Sequence, residues 1–254
     1  MHRRSVLFFL LAFLSVLGLA SCAVLEKTET LIPTETVPAK VAGGARPLVI
    51  VLPGRGDDLA ALKATGIAAA IQESLPDAEI LLAGITMAYY QEGRSVQRLH
   101  EEIVLPARQR GFREIYLAGA SMGGMGVLLY EREYPRQMSG LVLMAPFMGD
   151  GALIEEIKAA GGLQRWNAGP VPAQVNGDNV GREEWRVAQS WLADPARARK
   201  IWLICGQQDQ FHGAAGMIAP LLPAENYQAP PGGHAWRVWT PAATRAFAQI
   251  GAAR

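Results

Sequence analysis

Three side chains, far apart in the sequence, have the types needed to turn a hydroxyl into a nucleophile. Ser121 lies in YLAGASMGGMG (116–126), with Gly119 and Gly123 at −2 and +2. A serine hydroxyl attacks poorly until a base takes its proton and a third group orients that base. Asp209 and His234 follow Ser121 in that order. Each falls just past an apolar run: Asp209 after IWLICG (201–206), His234 after NYQAP (226–230) and a Pro-Gly-Gly turn. The pentapeptide G-x-S-x-G alone would also suit a glycine-rich turn carrying a bystander serine. Its setting favours the nucleophile. EIYLAGA (114–120) reads as a strand running straight into Ser121, and MGGMGVLLYEREY (122–134) as a helix leaving it. A strained strand-to-helix turn of this kind needs small neighbours at −2 and +2. The helix then aims its first amides and positive dipole end at the place where an oxyanion would form.

Few residues compete for these roles. His2 leaves with the N-terminal export signal, His100 falls in a helix expected to face solvent, and His212 shares the Asp209 loop. His234 is therefore the expected base. Asp150 and Asp178 follow the fourth strand at greater distance, within an insertion. For the oxyanion, the Met122 amide is one donor. The glycine-rich loop LPGRGD (52–57) supplies the other through the backbone N–H of Arg55, with Gly54 permitting close approach. The Arg55 guanidinium itself suits a surface ion pair or an acidic group on a substrate. This chemistry requires no metal and no organic cofactor.

The elements that must position these groups alternate regularly. LVIVLPG (48–54), EILLAG (79–84), EIYLAGA (114–120), GLVLMAP (140–146) and IWLICG (201–206) are short apolar runs, and NYQAP (226–230) is a last, shorter one. Amphipathic segments lie between them, the first capped by Asp57 and Asp58. The segment SVQRLHEEIVLPARQRG (95–111) is a helix that Pro106 should interrupt. Such alternation predicts an α/β fold, a mostly parallel sheet with helices on both faces and reactive residues at the carboxyl ends of its strands. Residues 147–199 form an insertion with two predicted helices and three tryptophans, Trp166, Trp185 and Trp191. They either wall a substrate pocket or simply pack a small helical cap, and Trp166 is the candidate substrate contact among them. Trp236 and Trp239, flanking the histidine loop, are candidates for the same pocket.

The N-terminus reads differently. MHRRSVLFFLLAFLSVLGLASC opens with Arg3 and Arg4 and continues as an apolar run too short to span a membrane comfortably. Leu19-Ala20-Ser21-Cys22 resembles the lipobox of bacterial lipoproteins, which implies that residues 1–21 are removed and that Cys22 carries palmitate-type acyl chains. Ala23 in place of an aspartate favours the outer membrane, facing the periplasm. Residues 22–46, rich in Glu, Thr, Pro and Ala, read as an extended tether, and 47–254 as the folded domain. Loss of residues 1–21 shifts the formal charge from +1 to −1, and no basic run suggests nucleic acid. Cys205 would be the one thiol left and reads as a buried strand residue.

Over about residues 47–250 the chain resembles the alpha/beta-hydrolase superfamily. Ser121-Met122-Gly123-Gly124 and Gly233-His234-Ala235-Trp236-Arg237-Val238-Trp239 are similar to the corresponding segments of esterase D-like and tributyrin-esterase-like carboxylesterases. The chain departs from them in Pro53-Gly54, where many lipases have His-Gly, and in Ala235, where Asp is common. The resemblance implies a Ser121–His234–Asp209 triad and a small-molecule or lipid ester as substrate. An acyltransferase or peptidase on envelope substrates, or a non-catalytic binding protein, are the alternatives. A serine at the elbow, in place of aspartate, argues against dehalogenase or epoxide hydrolase chemistry.

Overall fold

The computed structural model describes residues 27–41 and 46–254; the predicted signal segment and Cys22 lie outside them. Strands are β1 (Thr34–Val37), β2 (Leu48–Leu52), β3 (Glu79–Ala83), β4 (Ile115–Ala120), β5 (Gly140–Met144), β6 (Ile201–Ile204) and β7 (Tyr227–Gln228). Among the described residues they form one seven-stranded sheet in the order β1-β3-β2-β4-β5-β6-β7. All neighbours are parallel except β1, which runs antiparallel to β3.

Every residue of β2, β3, β4, β5 and β6 is buried, as the unbroken apolar runs required. Between them come α1 (Leu59–Ala64), α2 (Ile67–Ser74), α3 (Met87–Gln91), α4 (Ser95–Leu99), α5 (Leu105–Gln109), α6 (Met122–Glu133), α7 (Gly151–Ala159), α8 (Val180–Ser190), α9 (Pro195–Ala198), α10 (His212–Ile218) and α11 (Trp236–Ala253). One group, α6 with α4 and α8, packs across β2, β4 and β5, while α2 and α11 pack on each other and α11 reaches β6. Pro106 does not break its helix. A π turn over His100–Val104 precedes α5 and places the proline in the first turn, where its missing N–H costs nothing.

Two expectations change. The segment read as a tether contributes β1, paired Thr34↔Ala83 to Val37↔Ile80, with Ile32 buried just ahead of it. The signal was present in the alternation of TETV, whose residues are exposed and half-buried in turn, as suits an edge strand. Within the insertion, α8 packs on α6. Trp185 and Trp191 are fully buried, and the Trp185 indole donates to Met148 O (2.7 Å). Asp58, not Asp57, caps α1, accepting from the Ala61 amide at 2.8 Å.

Candidate active site

Ser121 stands between β4 and α6 with φ 53° and ψ −112°, a conformation that side-chain-bearing residues rarely adopt. The backbone is held there from several sides. Ser121 N donates to Met144 O (2.8 Å), and Ser121 O accepts from Met125 N (3.1 Å) and Phe147 N (3.0 Å). The two glycines are sterically required. A Cβ on Gly119 would overlap the carbonyl of Gly123, and one on Gly123 would lie 2.5 Å from Pro53 O. Gly124 is equally tight, since a Cβ there would lie 2.8 Å from Pro146 Cα. The turn is thus wedged between β4, the loop after β2 and the loop after β5.

The other two residues reach the same edge on separate loops. Asp209, with its side chain fully buried, follows β6; His234 follows β7. His234 Nδ1 lies 2.9 Å from both Asp209 carboxylate oxygens, and Asp209 Oδ1 also accepts from the Phe211 amide (2.9 Å). An ionised carboxylate only accepts, so Nδ1 is the donor, and in the neutral imidazole Nε2 is the nitrogen with the free lone pair. Edge contacts from Phe211 (5.0 Å between ring centroids) and Trp239 (4.7 Å) fix the imidazole plane. The two loops are laced together through their backbones. Gln208 N donates to Gly232 O (3.0 Å), Gln207 N to Pro230 O (2.9 Å), and the Gln208 side chain accepts from Gly232 N (2.5 Å). A Cβ on Gly206 would overlap Gly232 O, and Gly232 has φ 119°. Among the described residues Ser121 Oγ makes no hydrogen bond.

Ser121, Met122, Arg55 and His234 all line one cleft of about 500 Å³. The Met122 amide, first in α6, has no acceptor within the helix. Met87, Met125, Phe147 and Phe211 form apolar walls, and Trp236 and Trp239 line it as expected. Trp166 does not. It is 4% exposed, its indole donates to Glu156 (2.8 Å), and Arg182 lies over its ring while pairing with Glu156 through two hydrogen bonds. These hydrogen bonds from Arg182 and Trp166 pull the Glu156 carboxyl down to about 2. Trp166 therefore belongs to the packing of the cap, and Phe147 is the one residue of 147–199 that lines the cleft.

Sequence reasoning missed Asp57 here. It lines the cleft and accepts a hydrogen bond from the Trp236 indole at 2.8 Å, tying the loop after β2 to the histidine loop. The doubled acid Asp57-Asp58 was the available signal, since one carboxylate suffices to cap a helix. Cys205 is buried as expected, and burial followed by the nearby Asp209 charge pushes its thiol up to about 12, which leaves it inert. Among the described residues no group of three or more His, Cys, Asp and Glu could hold a metal ion.

Comparison with known proteins agrees with this architecture. Residues 94–208 match the serine aminopeptidase S33 family. No curated protein matches the chain. Among solved structures, a ferulic acid esterase aligns with a TM-score of 0.59 at 15% identity, covering 86% of this chain and 96% of that one. Est1E from Butyrivibrio proteoclasticus aligns with a TM-score of 0.56 at 19% identity, over 87% of this chain and 93% of that chain. S-formylglutathione hydrolase from Staphylococcus aureus gives 0.54 at 16% identity, with 82% and 83% covered. At such identities the likeness establishes the fold.

Proposed function

We propose that this chain, which has the alpha/beta-hydrolase fold, is a serine hydrolase that cleaves carboxylic esters through an acyl-enzyme on Ser121. One observation carries the reading. His234, its Nδ1 engaged by Asp209 and its Nε2 left as the base, shares a cleft with a serine held on a strained turn. Ser121 Oγ attacks the ester carbonyl carbon as its proton passes to His234 Nε2. The carbonyl π electrons move to oxygen, and the Met122 and Arg55 amides receive that oxyanion. Collapse expels the alkoxide, which takes the proton from His234. Water, deprotonated by the same nitrogen, then attacks the acyl-enzyme and releases the acid and Ser121. Asp209 keeps the imidazole in the productive tautomer and stabilises its cation.

The apolar walls suit the acyl or aromatic part of an ester, in line with the esterases among the structural neighbours. The S33 family match, described as aminopeptidase, favours peptide cleavage as a second reading on the same groups. We also propose that the protein is a lipoprotein of the bacterial envelope, acylated on Cys22 and held on the outer membrane.

The test uses the chain from residue 23 onward, with a fluorophosphonate probe, p-nitrophenyl esters and aminoacyl p-nitroanilides. Labelling and ester turnover that both require Ser121 and His234 are expected. A folded protein that does not label overturns the reading, and faster turnover of the anilides than of the esters makes it a peptidase.

A further inference from the structure

The path of the segment ahead of β1 bears on where the cleft points. β1 is antiparallel to β3, and Thr34 pairs with Ala83, the carboxyl end of β3. Residues before Thr34 therefore emerge at the edge of the sheet that carries Ser121, Asp209 and His234. A six-residue strand such as β4 spans about 20 Å, so the two sheet edges are well separated and only one receives the incoming chain.

That segment is clamped to the domain. Arg98 Nη2 donates to Glu29 O (2.9 Å) and Thr30 O (3.1 Å), Glu102 accepts from Ile32 N (2.7 Å), and the Tyr89 hydroxyl accepts from Glu29 N (3.1 Å). Arg98 is itself buried, pairs with Glu102 at 2.5 Å and lies over the Tyr89 ring. Pairing continues past β1, where Gly84 N donates to Pro33 O (2.8 Å). Lys27, Glu29, Asp58, Thr86 and Tyr89 wall a second groove of about 600 Å³. Asp58 and Thr86 are the chain neighbours of Asp57 and Met87, which line the cleft, so groove and cleft are walled by the same two stretches of chain. Leu31, on this clamped segment, is 68% exposed.

Cys22 precedes Lys27 by five residues, and five residues extend no farther than about 17 Å. We propose that the acyl anchor on Cys22 holds the catalytic edge of the sheet against the membrane surface, so that the cleft draws ester-bearing amphiphiles from the leaflet beneath it. This inference rests on the ester-hydrolase reading and on acylation of Cys22. The bilayer is the partner, Leu31 dips into its interface, and the methionine and phenylalanine walls of the cleft receive the acyl chain.

The experiment uses the full-length lipidated protein in phosphatidylcholine–phosphatidylglycerol vesicles, beside Cys22→Ala and a variant with twenty Gly/Ser residues inserted between Cys22 and Lys27. Each is assayed on soluble p-nitrophenyl acetate and on p-nitrophenyl palmitate embedded in the vesicles. Equal rates on acetate are expected throughout. On the embedded ester we expect at least a tenfold loss for Cys22→Ala and a several-fold loss for the spacer variant, which stays anchored but frees the cleft from the surface. Equal embedded-ester rates in wild type and spacer variant overturn the proposal, as does a Cys22→Ala protein that remains bound to vesicles. Failure of all three to hydrolyse acetate overturns the hydrolase reading instead.

Discussion

The two halves of the candidate site are held in different ways. The serine half is set by main-chain geometry: a positive-φ residue wedged by Gly119, Gly123 and Gly124 among β4, the loop after β2 and the loop after β5. In the histidine half the backbone lacing holds the loops, but the imidazole itself is set by side chains: two Asp209 oxygens, the rings of Phe211 and Trp239, and the bridge from Trp236 to Asp57. A main-chain wedge tolerates no added atom, whereas side-chain supports can be removed one at a time. The elbow should therefore fail abruptly and the histidine half by degrees.

The sharpest test of that contrast is Gly123→Ala. Its new methyl would collide with Pro53 O, so we expect a loss of more than about 4 kcal/mol or no soluble folded protein, measured by thermal and urea unfolding. Next come Ser121→Ala and His234→Ala, which should fold normally and lose about 10⁶ in kcat on p-nitrophenyl acetate. Asp209→Asn should cost about 10⁴ because the amide favours the wrong imidazole tautomer. Phe211→Ala removes an orienting ring while leaving the hydrogen bonds, and a fall of about tenfold in kcat is expected; a loss as large as that of Asp209→Asn would erase the distinction between graded and abrupt failure.

The smallest effect comes from an acid that has no support. Glu184 on α8 is fully buried with no hydrogen-bond partner for either carboxylate oxygen, and burial raises its carboxyl well above the usual range. A raised carboxyl binds its proton more tightly in the folded state than in the unfolded chain. Stability should therefore fall as pH rises above the ordinary carboxylate range, until the folded-state value is passed. Glu184→Gln should remove that fall, and Tm measured from pH 4 to 9 in both proteins checks it.

The parallel strands were legible because they are buried on both faces and so are apolar throughout, which period and composition reveal. The triad candidates stand out in the sequence because Ser121 and Asp209 come just past such strands and His234 just past the short, half-buried β7. Trp166 was misplaced because a tryptophan in an insertion looks the same whether it walls a pocket or anchors a cap. Its partners Glu156 and Arg182, 10 residues before it and 16 after, decide the matter only in three dimensions. Residues 34–37 were hidden for a related reason: an edge strand needs only one sheltered side, and Thr, Glu and Val satisfy that without an apolar run. Asp57 reads as a cap in the sequence because its neighbour Asp58 is one.

β1 also shields the rest of the sheet. It pairs with β3 on its inner side and presents Glu35, in ion pair with Lys63 at 2.8 Å, on its own flank. A recombinant chain begun at residue 46 would leave the main-chain donors and acceptors of Glu79-Ile80-Leu81-Leu82-Ala83 without this partner, beside a row of aliphatic side chains. Such an uncovered ladder recruits other chains. Fragments cut behind β1 should self-associate into insoluble fibrils or precipitates.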